Sequence, residues 1–246
     1  MNAIETKGLT KRYKSKTAVN ALSLTVAQGE LFALLGVNGA GKTTTIRMLS
    51  CLSAPTDGEC YVCGHSCKTE SAAVKSIVGI SPQDTAVADN LSVQENFALM
   101  CGIFGIEGEE RRARVEEMIT LFGMGEVRDS RAKTLSGGWK RRLSIALALI
   151  SKPQVLFLDE PTLGLDVLAR RELWSVISVL KGKITIILTT HYMEEAEHLS
   201  DRIGIMIDGS LVTCGTLAEL EAFSGEQGLE NTFIKIAESH KKGAAV

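Results

Sequence analysis

Residues 36–43 read Gly-Val-Asn-Gly-Ala-Gly-Lys-Thr, which matches the G-x-x-x-x-G-K-[ST] pattern of a phosphate-binding loop. The five residues before it, 31–35, are all apolar, and Ile46 and Leu49 follow it at helical spacing. The loop therefore joins a buried strand to a helix, and this context lets backbone amides and the helix N-terminus point at an anion. The sequence predicts a site for a nucleoside triphosphate.

The loop also supplies the side chains that phosphate chemistry requires. Lys42 adds a positive charge, and the hydroxyl of Thr43 is a suitable ligand for Mg²⁺. A glycine-rich turn that binds nothing is the alternative, and the full spacing with Lys and Thr argues against it. The predicted nucleotide contacts are Gly36, Val37, Asn38, Gly39, Ala40, Gly41, Lys42, Thr43 and Thr44.

Composition limits the class of protein. The 246 residues contain 45% hydrophobic but only 5% aromatic residues, which suits an aliphatic α/β interior. The net charge of -2 supplies no overall attraction toward nucleic acid or an anionic membrane, so we expect no direct nucleic-acid partner. No apolar run approaches the roughly 18 to 20 residues that cross a bilayer, and we expect a cytosolic chain with reduced cysteines.

Apolar and polar patterns along the chain predict an α/β fold. Residues 21–26 alternate as in a half-exposed strand, residues 92–150 are mainly helical, and residues 155–158 and 184–188 are apolar runs typical of central parallel strands. We therefore predict a P-loop NTPase (RecA-like) core with a mainly parallel sheet, a flanking antiparallel β subdomain and a helical insert. One domain should span 1–225, with a core lobe of 1–84 and 152–225, a helical subdomain of 85–151, and a short C-terminal extension of 226–246.

Polar side chains follow three of the predicted strands. Asp159 and Glu160 end the run 155–158, His191 ends the strand 184–190, and Gln83 follows the strand 77–81. Ligands bind at the carboxyl edge of parallel sheets, so these side chains should lie near the phosphates. We expect Asp159 to hold Mg²⁺, Glu160 to polarise the attacking water, His191 to contact the γ-phosphate, and the Gln83 amide to reach the metal or the water.

A second anion-binding corner is predicted before the helix that starts near Trp139. Ser136, Gly137 and Gly138 place a hydroxyl and glycine amides at that helix N-terminus, although a simple helix cap has the same composition. The basic run of residues 140–142 follows directly. It could form a nucleic-acid or membrane patch, but we favour a solvated helix start.

Together these motifs resemble the ATP-binding subunit of ABC (ATP-binding cassette) transporters over roughly residues 3–220. The resemblance rests on the phosphate loop, Gln83, Leu-Ser-Gly-Gly at 135–138, Leu-Asp-Glu-Pro-Thr at 158–162, Gly-Leu-Asp at 164–166 and Thr-His at 190–191, in this order. It implies that Tyr13 stacks on adenine, that Thr43, Gln83 and Asp159 hold Mg²⁺, and that Glu160 and His191 act in hydrolysis. Asp166 would communicate across a dimer.

In that family a signature motif, matched here by Leu-Ser-Gly-Gly at 135–138, closes in one subunit on the ATP held by another. The resemblance therefore implies a second ABC subunit, identical or related, in which Ser136, Gly137 and Gly138 act in trans. It also implies an integral membrane permease that holds the cassette on the inner face of the cell membrane. The residues around Thr190 look most like exporters of the ABC-2 or drug-resistance type. The signature usually ends in glutamine, and Trp139 stands here instead, which puts the turnover rate in question.

Two other functions fit part of the pattern. A soluble ABC-type ATPase in a non-transport role, in assembly or on ribosomes, would use the same chemistry. The chain shows neither the second cassette of ribosome-acting members nor the coiled-coil heptads of DNA-repair members. A phosphate-loop GTPase or kinase is less consistent, because the Asn-Lys-x-Asp guanine motif is absent and the Ser136 corner would have no role.

Overall fold

The computed structural model describes residues 1–243 and contains two sheets. A four-stranded antiparallel sheet has the order β2-β1-β4-β5, and a six-stranded sheet has the order β10-β9-β3-β8-β7-β6. In the larger sheet the strands from β9 to β6 are parallel, and β10 joins β9 as an antiparallel edge. The strands are β1 (Asn2–Tyr13), β2 (Lys16–Ala27), β3 (Leu31–Leu35), β4 (Asp57–Val62), β5 (His65–Ser66), β6 (Val78–Ser81), β7 (Val155–Asp159), β8 (Thr185–Thr190), β9 (Arg202–Ile207) and β10 (Ser210–Gly215).

Helices cover the parallel sheet and fill the segment between β6 and β7. They are α1 (Lys42–Leu49), α2 (Ser71–Ile77), α3 (Val93–Ile103), α4 (Gly108–Leu121), α5 (Gly137–Ala148), α6 (Val167–Leu180), α7 (Met193–Leu199), α8 (Leu217–Ser224) and α9 (Leu229–Gly243). Helix α9 lies in the predicted C-terminal extension, whose last residues, 244–246, are outside the described residues.

The central strands carry the core. Every residue of β3, β7 and β8 is buried, because both faces of the sheet are covered. One buried cluster joins the parallel sheet to the helical segment, and a second joins it to the antiparallel sheet and α1. The predicted α/β fold with a mainly parallel sheet, an antiparallel flank and a helical insert is confirmed.

Parallel register brings four strand ends to one edge of the sheet. Leu35 pairs with Thr190, Thr189 with Asp159, and Leu158 with Ser81. Because neighbouring parallel strands end together, the loops after β3, β8, β7 and β6 emerge side by side. The motifs that follow these strands in sequence therefore meet at this edge.

In the structure, the strand predicted at 77–81 begins one residue later than the sequence indicates. Ile77 is the last residue of α2, and β6 begins at Val78. The sequence pattern does not predict α2, because Val74 is its one buried side chain within the described chain and a single buried position produces no helical periodicity.

Candidate nucleotide-binding site

The phosphate loop connects β3 to α1 through a backbone that requires glycine. Gly39 and Gly41 have φ of 86° and 105°, in the left-handed region that favours glycine. A Cβ atom on Gly41 would lie 2.3 Å from the carbonyl oxygen of Ala18 in β2. The Lys42 ammonium group curls back over the loop and donates to the carbonyl oxygen of Gly36 at 2.7 Å. The loop thus encloses a narrow space that holds the Lys42 ammonium group.

Asp159 lies at the end of β7 and faces the start of α1. The Thr43 hydroxyl donates to its Oδ1 at 3.0 Å, and the hydroxyl of Thr189 in β8 donates to the same oxygen at 2.5 Å. Asp159 is buried, with 4% of its surface exposed. The structure therefore brings together the hydroxyl and the carboxylate that the sequence predicts as Mg²⁺ ligands.

Glu160 lies between a lysine and a histidine. Its Oε1 is 3.0 Å from Lys42 Nζ, and its Oε2 is 2.7 Å from His191 Nδ1. The backbone of Glu160 has a positive φ of 49°, and its amide donates to the carbonyl and the hydroxyl of Thr189. A left-handed conformation is unfavourable for a glutamate, and the β8 contacts hold the residue in it. The carboxylate therefore points at the phosphate loop from a fixed position.

A cavity of about 450 Å³ opens in front of these groups. Tyr13 at the end of β1 and Gln83 after β6 lie on its wall, together with residues of the phosphate loop and Glu160. Tyr13 is 45% exposed, so its ring is accessible to a planar ligand. The full lining is Tyr13, Lys16, Ala18, Asn38, Gly39, Gly41, Lys42, Thr43, Thr44, Gln83, Glu160 and Leu163.

The second predicted anion corner does not share this cavity in the described chain. Ser136 caps α5, where its hydroxyl accepts from the amide of Trp139 at 3.4 Å, and neither Gly137 nor Gly138 is among the lining residues. Asp166 likewise caps α6 and accepts from the amide of Ala169 at 2.9 Å. Neither helix N-terminus contributes a residue to the lining of the cavity within one subunit.

Comparisons with known proteins agree with this arrangement. The family model described as ABC transporter matches residues 19–163, more than half of the chain. The chain belongs to the ABC transporter family. It is 41% identical over 228 residues to the daunorubicin/doxorubicin resistance ATP-binding protein DrrA of Streptomyces peucetius, covering 92% of this chain and 69% of that protein.

Two further relatives support the same assignment. The daunorubicin resistance ATP-binding protein DrrA3 of Streptomyces coeruleorubidus is 40% identical, over 99% of this chain and 77% of that one. The dimeric ATP-binding cassette MJ0796, solved in a post-hydrolysis state with ADP and Pi, superimposes with a TM-score of 0.78 at 27% identity, over 87% of this chain and 98% of the other. The chain is therefore an ABC ATPase that binds and hydrolyses ATP. Within residues 1–243, the cassette has no helix with the length and apolar character needed to cross a membrane.

One residue of the cassette contradicts its predicted environment. The sequence predicts that Arg141 in α5 is solvated with Lys140 and Arg142, but only 3% of its surface is exposed. Its guanidinium group donates to four backbone carbonyls, those of Pro82, Gln83, Asp159 and Pro161. Burial lowers the pKa of Arg141 to about 10, so the group stays charged at neutral pH. Arg141 thus connects α5, which begins within the signature motif and is called the signature helix below, to the loops that carry Gln83 and Glu160.

The neighbouring basic residues on the same helix are half-buried. Lys140 pairs with Asp89 at 3.1 Å, and Arg142 pairs with Glu172. The Arg142 guanidinium also lies 4.7 Å from the centre of the Trp139 ring. The prediction of a solvated helix start is wrong for Arg141. Successive residues of an α-helix point about 100° apart, so one residue of a basic run can face the core while its neighbours do not.

Replacing Gly41 with Ala tests the steric demand of the phosphate loop. The substitution combines a left-handed φ with a Cβ contact of 2.3 Å to backbone, so the loop must shift. We expect ATP affinity to fall by at least about tenfold, because a displaced amide loses its phosphate contact. Titration with a fluorescent ATP analogue measures the loss.

Gly39→Ala is the matched control for that substitution. Gly39 has a φ of 86°, but no atom lies within 4 Å of the Cβ that would be added. It therefore carries the backbone strain without a clash against protein atoms, and we expect a smaller loss of affinity. Equal losses for the two variants would show that strain alone, and not the Ala18 contact, limits the loop.

Proposed function

We propose that this cassette is one half of a paired ATPase that drives an exporter through a separate membrane permease. The observation that carries the proposal is the separation of two anion sites in one chain. The cavity is lined by the phosphate loop, Gln83 and Glu160, whereas the Ser136 corner lies elsewhere. A second subunit, identical or related, would place its Ser136, Gly137 and Gly138 against the phosphates held here.

We propose the following roles for the site residues. Tyr13 stacks on adenine, the phosphate loop from Gly36 to Thr44 holds the phosphates, and Lys42 neutralises their charge. Glu160 orients and polarises the attacking water as its base, while His191 contacts the γ-phosphate and holds Glu160 through its Nδ1. Asp166, at the start of α6, contacts the second subunit. The 2.7 Å contact between His191 and Glu160 supports treating these two residues as one unit.

The residues at the start of α1 suit a magnesium ion. Thr43 and Asp159 offer a hydroxyl and a carboxylate oxygen 3.0 Å apart, and the Gln83 amide lies on the same cavity wall. Oxygen ligands of this kind are the ones that Mg²⁺ prefers, and a bound ion would neutralise phosphate charge. We propose Thr43, Gln83 and Asp159 as its ligands.

An apolar groove between the core and the helical segment supports a membrane-protein partner. The groove has a volume of about 260 Å³, and its walls include Leu52, Met100 and Phe104. Leu52 and Phe104 are 61% and 45% exposed, which is high for large apolar side chains. We propose that a cytoplasmic helix of the permease packs here, holding the cassette on the inner face of the membrane. The names of the two drug-resistance relatives favour an exporter.

Gly137→Asp, introduced into the Glu160→Gln protein, tests the paired site. A Cβ on Gly137 meets no atom within 4 Å in its own subunit, and aspartate is favourable at a helix N-terminus. The monomer should stay folded, while the new carboxylate would repel phosphate bound by the partner. We expect Glu160→Gln alone to elute as a dimer with ATP and the double variant as a monomer, measured by chromatography with light scattering. A dimer in both would contradict the paired arrangement.

The transport role is tested by identifying what binds the cassette. Tagged Glu160→Gln protein is recovered from detergent-solubilised membranes in ATP, with Lys42→Ala in parallel as a control that should not bind nucleotide. A multi-helix membrane protein recovered with the cassette supports the exporter, and its presence or absence with Lys42→Ala shows whether that contact needs nucleotide. Soluble scaffold or ribosomal proteins alone would move the same ATPase chemistry to a non-transport role.

A further inference from the structure

Helix α7 contains a buried carboxyl group that the reaction described above does not use. Glu195 is 0% exposed, whereas Glu194 and Glu197 on the same helix are exposed. The indole Nε1 of Trp174, in α6, donates to Glu195 Oε1 at 3.2 Å. Burying a charged carboxyl group without a partner costs several kcal/mol of free energy. The groups around Glu195 must therefore stabilise it or favour its neutral form.

The neighbours of Glu195 come from the two loops that carry Glu160 and His191. The hydroxyls of Thr162 and Thr190 lie beside the carboxyl. Thr162 follows Glu160 by two residues, and Thr190 directly precedes His191. Both threonines are 0% exposed. Glu195 therefore lies at the junction of the loops after β7 and β8.

Two atoms at this junction are buried and unpaired. Glu195 Oε2 and Thr162 Oγ1 have no hydrogen-bond partner among the described residues. A carboxylate cannot donate, but a neutral carboxyl group supplies one O–H donor, and a hydroxyl oxygen can accept it. A small shift that joins these two atoms would satisfy both, with the hydroxyl as donor to a carboxylate or the neutral carboxyl as donor to the hydroxyl. Complete burial disfavours the charged form, so we take the neutral carboxyl as the donor.

The charges around Glu195 favour its neutral form. Burial is the largest effect and raises the pKa of Glu195, and the negative charge of Glu160 raises it further, while the Thr190 hydroxyl and the Trp174 indole act in the opposite direction. Arg141 of α5 attracts the charged form, but its guanidinium donates to four carbonyls. On the other side, Arg170 lies over the Tyr192 ring, and His198 stacks on Trp174 at 5.0 Å.

We propose that neutral Glu195 is a positioning residue for ATP hydrolysis, which joins the Glu160 loop to the His191 loop and keeps their 2.7 Å contact. The proposal rests on the roles given above to Glu160 and His191. A charge on Glu195 would repel Glu160 and separate the loops. The ATPase should then lose activity as pH rises, without losing affinity for ATP.

Three variants of the full chain test this role. Glu195→Ala removes the junction, and we expect kcat to fall by about tenfold with KM for ATP unchanged, since the misplaced groups act after binding. Glu195→Gln keeps an acceptor for Trp174 and a donor for Thr162, and should recover most of that loss. The wild-type kcat should decline on the alkaline side, and this decline should be absent in Glu195→Gln. Glu194→Gln, on the exposed face, should retain the wild-type profile.

A second readout does not depend on turnover. A carboxyl whose pKa is raised by folding keeps a proton that the unfolded chain releases, so its contribution to stability falls as pH rises from the unfolded pKa to the folded one. Glu195→Gln has no such group. The thermal midpoint of Glu195→Gln should therefore rise relative to that of the wild type as pH increases above about 4.3, the ordinary pKa of a glutamate carboxyl group.

The outcomes separate this proposal from the proposed site. If Glu160→Gln abolishes hydrolysis while Glu195→Ala leaves kcat unchanged, the positioning role is wrong and the site stands. If Glu195→Gln is as inactive as Glu195→Ala, or if its kcat still declines at alkaline pH, the proposal that Glu195 acts in its neutral form is wrong. If Glu160→Gln itself hydrolyses ATP normally, the proposed roles of Glu160 and His191 fail first.

Discussion

Replacing Glu160 with Gln should lower the rate of ATP hydrolysis by about a thousandfold, since an amide cannot act as a base toward the attacking water. ATP binding should survive. The amide retains an oxygen that can accept from Lys42, now 3.0 Å from Glu160 Oε1, and it removes a negative charge from the side of the cavity where phosphate would lie. Single-turnover hydrolysis together with nucleotide titration measures the two effects separately.

His191 provides an internal check on that result. Its Nδ1 contacts Glu160 Oε2, so the two side chains should act as a unit, and removing both should cost little more than removing Glu160 alone. Glu197→Gln, on the exposed face of α7, is the matched control for loss of a carboxylate. Hydrolysis within about tenfold of wild type for Glu160→Gln would exclude it as the base.

The strand ends are predictable from sequence because two simple signals coincide there. Continuous apolar runs such as Val155 to Leu158 indicate strands covered on both faces, and parallel strands end at one edge. Polar residues directly after such runs must then lie near one another. The structure brings Lys42, Thr43, Asp159, Glu160 and His191 within hydrogen-bond or ion-pair distance of a neighbour in this set.

Arg141 and Glu195 are not predictable in the same way. Arg141 stands in a basic run at a helix start, and its partners are backbone carbonyls that have no sequence signature. Glu195 stands among other acids in α7, and only the packing of Trp174 and the two threonine loops distinguishes it from Glu194. Both residues are buried by tertiary contacts, and a local pattern cannot report such contacts.

The two buried ionisable groups approach the site from different helices. Arg141 reaches it from the signature helix, and Glu195 from the helix after His191. Neither lines the cavity of the described chain, yet each contacts the loop that holds Glu160. The backbone on either side of Glu160 is thus held by Arg141 of the signature helix as well as by its own strand. A change in the position of the signature helix can therefore reach the hydrolytic group directly through Arg141.

Arg141→Ala should strongly destabilise the cassette. It removes a buried guanidinium and leaves the carbonyls of Pro82, Gln83, Asp159 and Pro161 without that donor. We expect the free energy of unfolding to fall by about 3 kcal/mol or more, since each buried carbonyl without a partner costs about 1 to 3 kcal/mol before relaxation. Urea unfolding followed by circular dichroism measures the change.

Arg142→Ala separates this effect from loss of a positive charge on the same helix. Arg142 pairs with the exposed Glu172 and lies over the Trp139 ring, so its loss leaves no buried carbonyl without a donor and should cost about 1 to 2 kcal/mol. Arg141→Lys should fall between the two, because one ammonium group cannot replace a planar group that donates to four carbonyls. Equal urea midpoints for Arg141→Ala and Arg142→Ala would mean that the loops after β6 and β7 keep their conformation without the guanidinium. The signature helix would then need another route to the Glu160 loop.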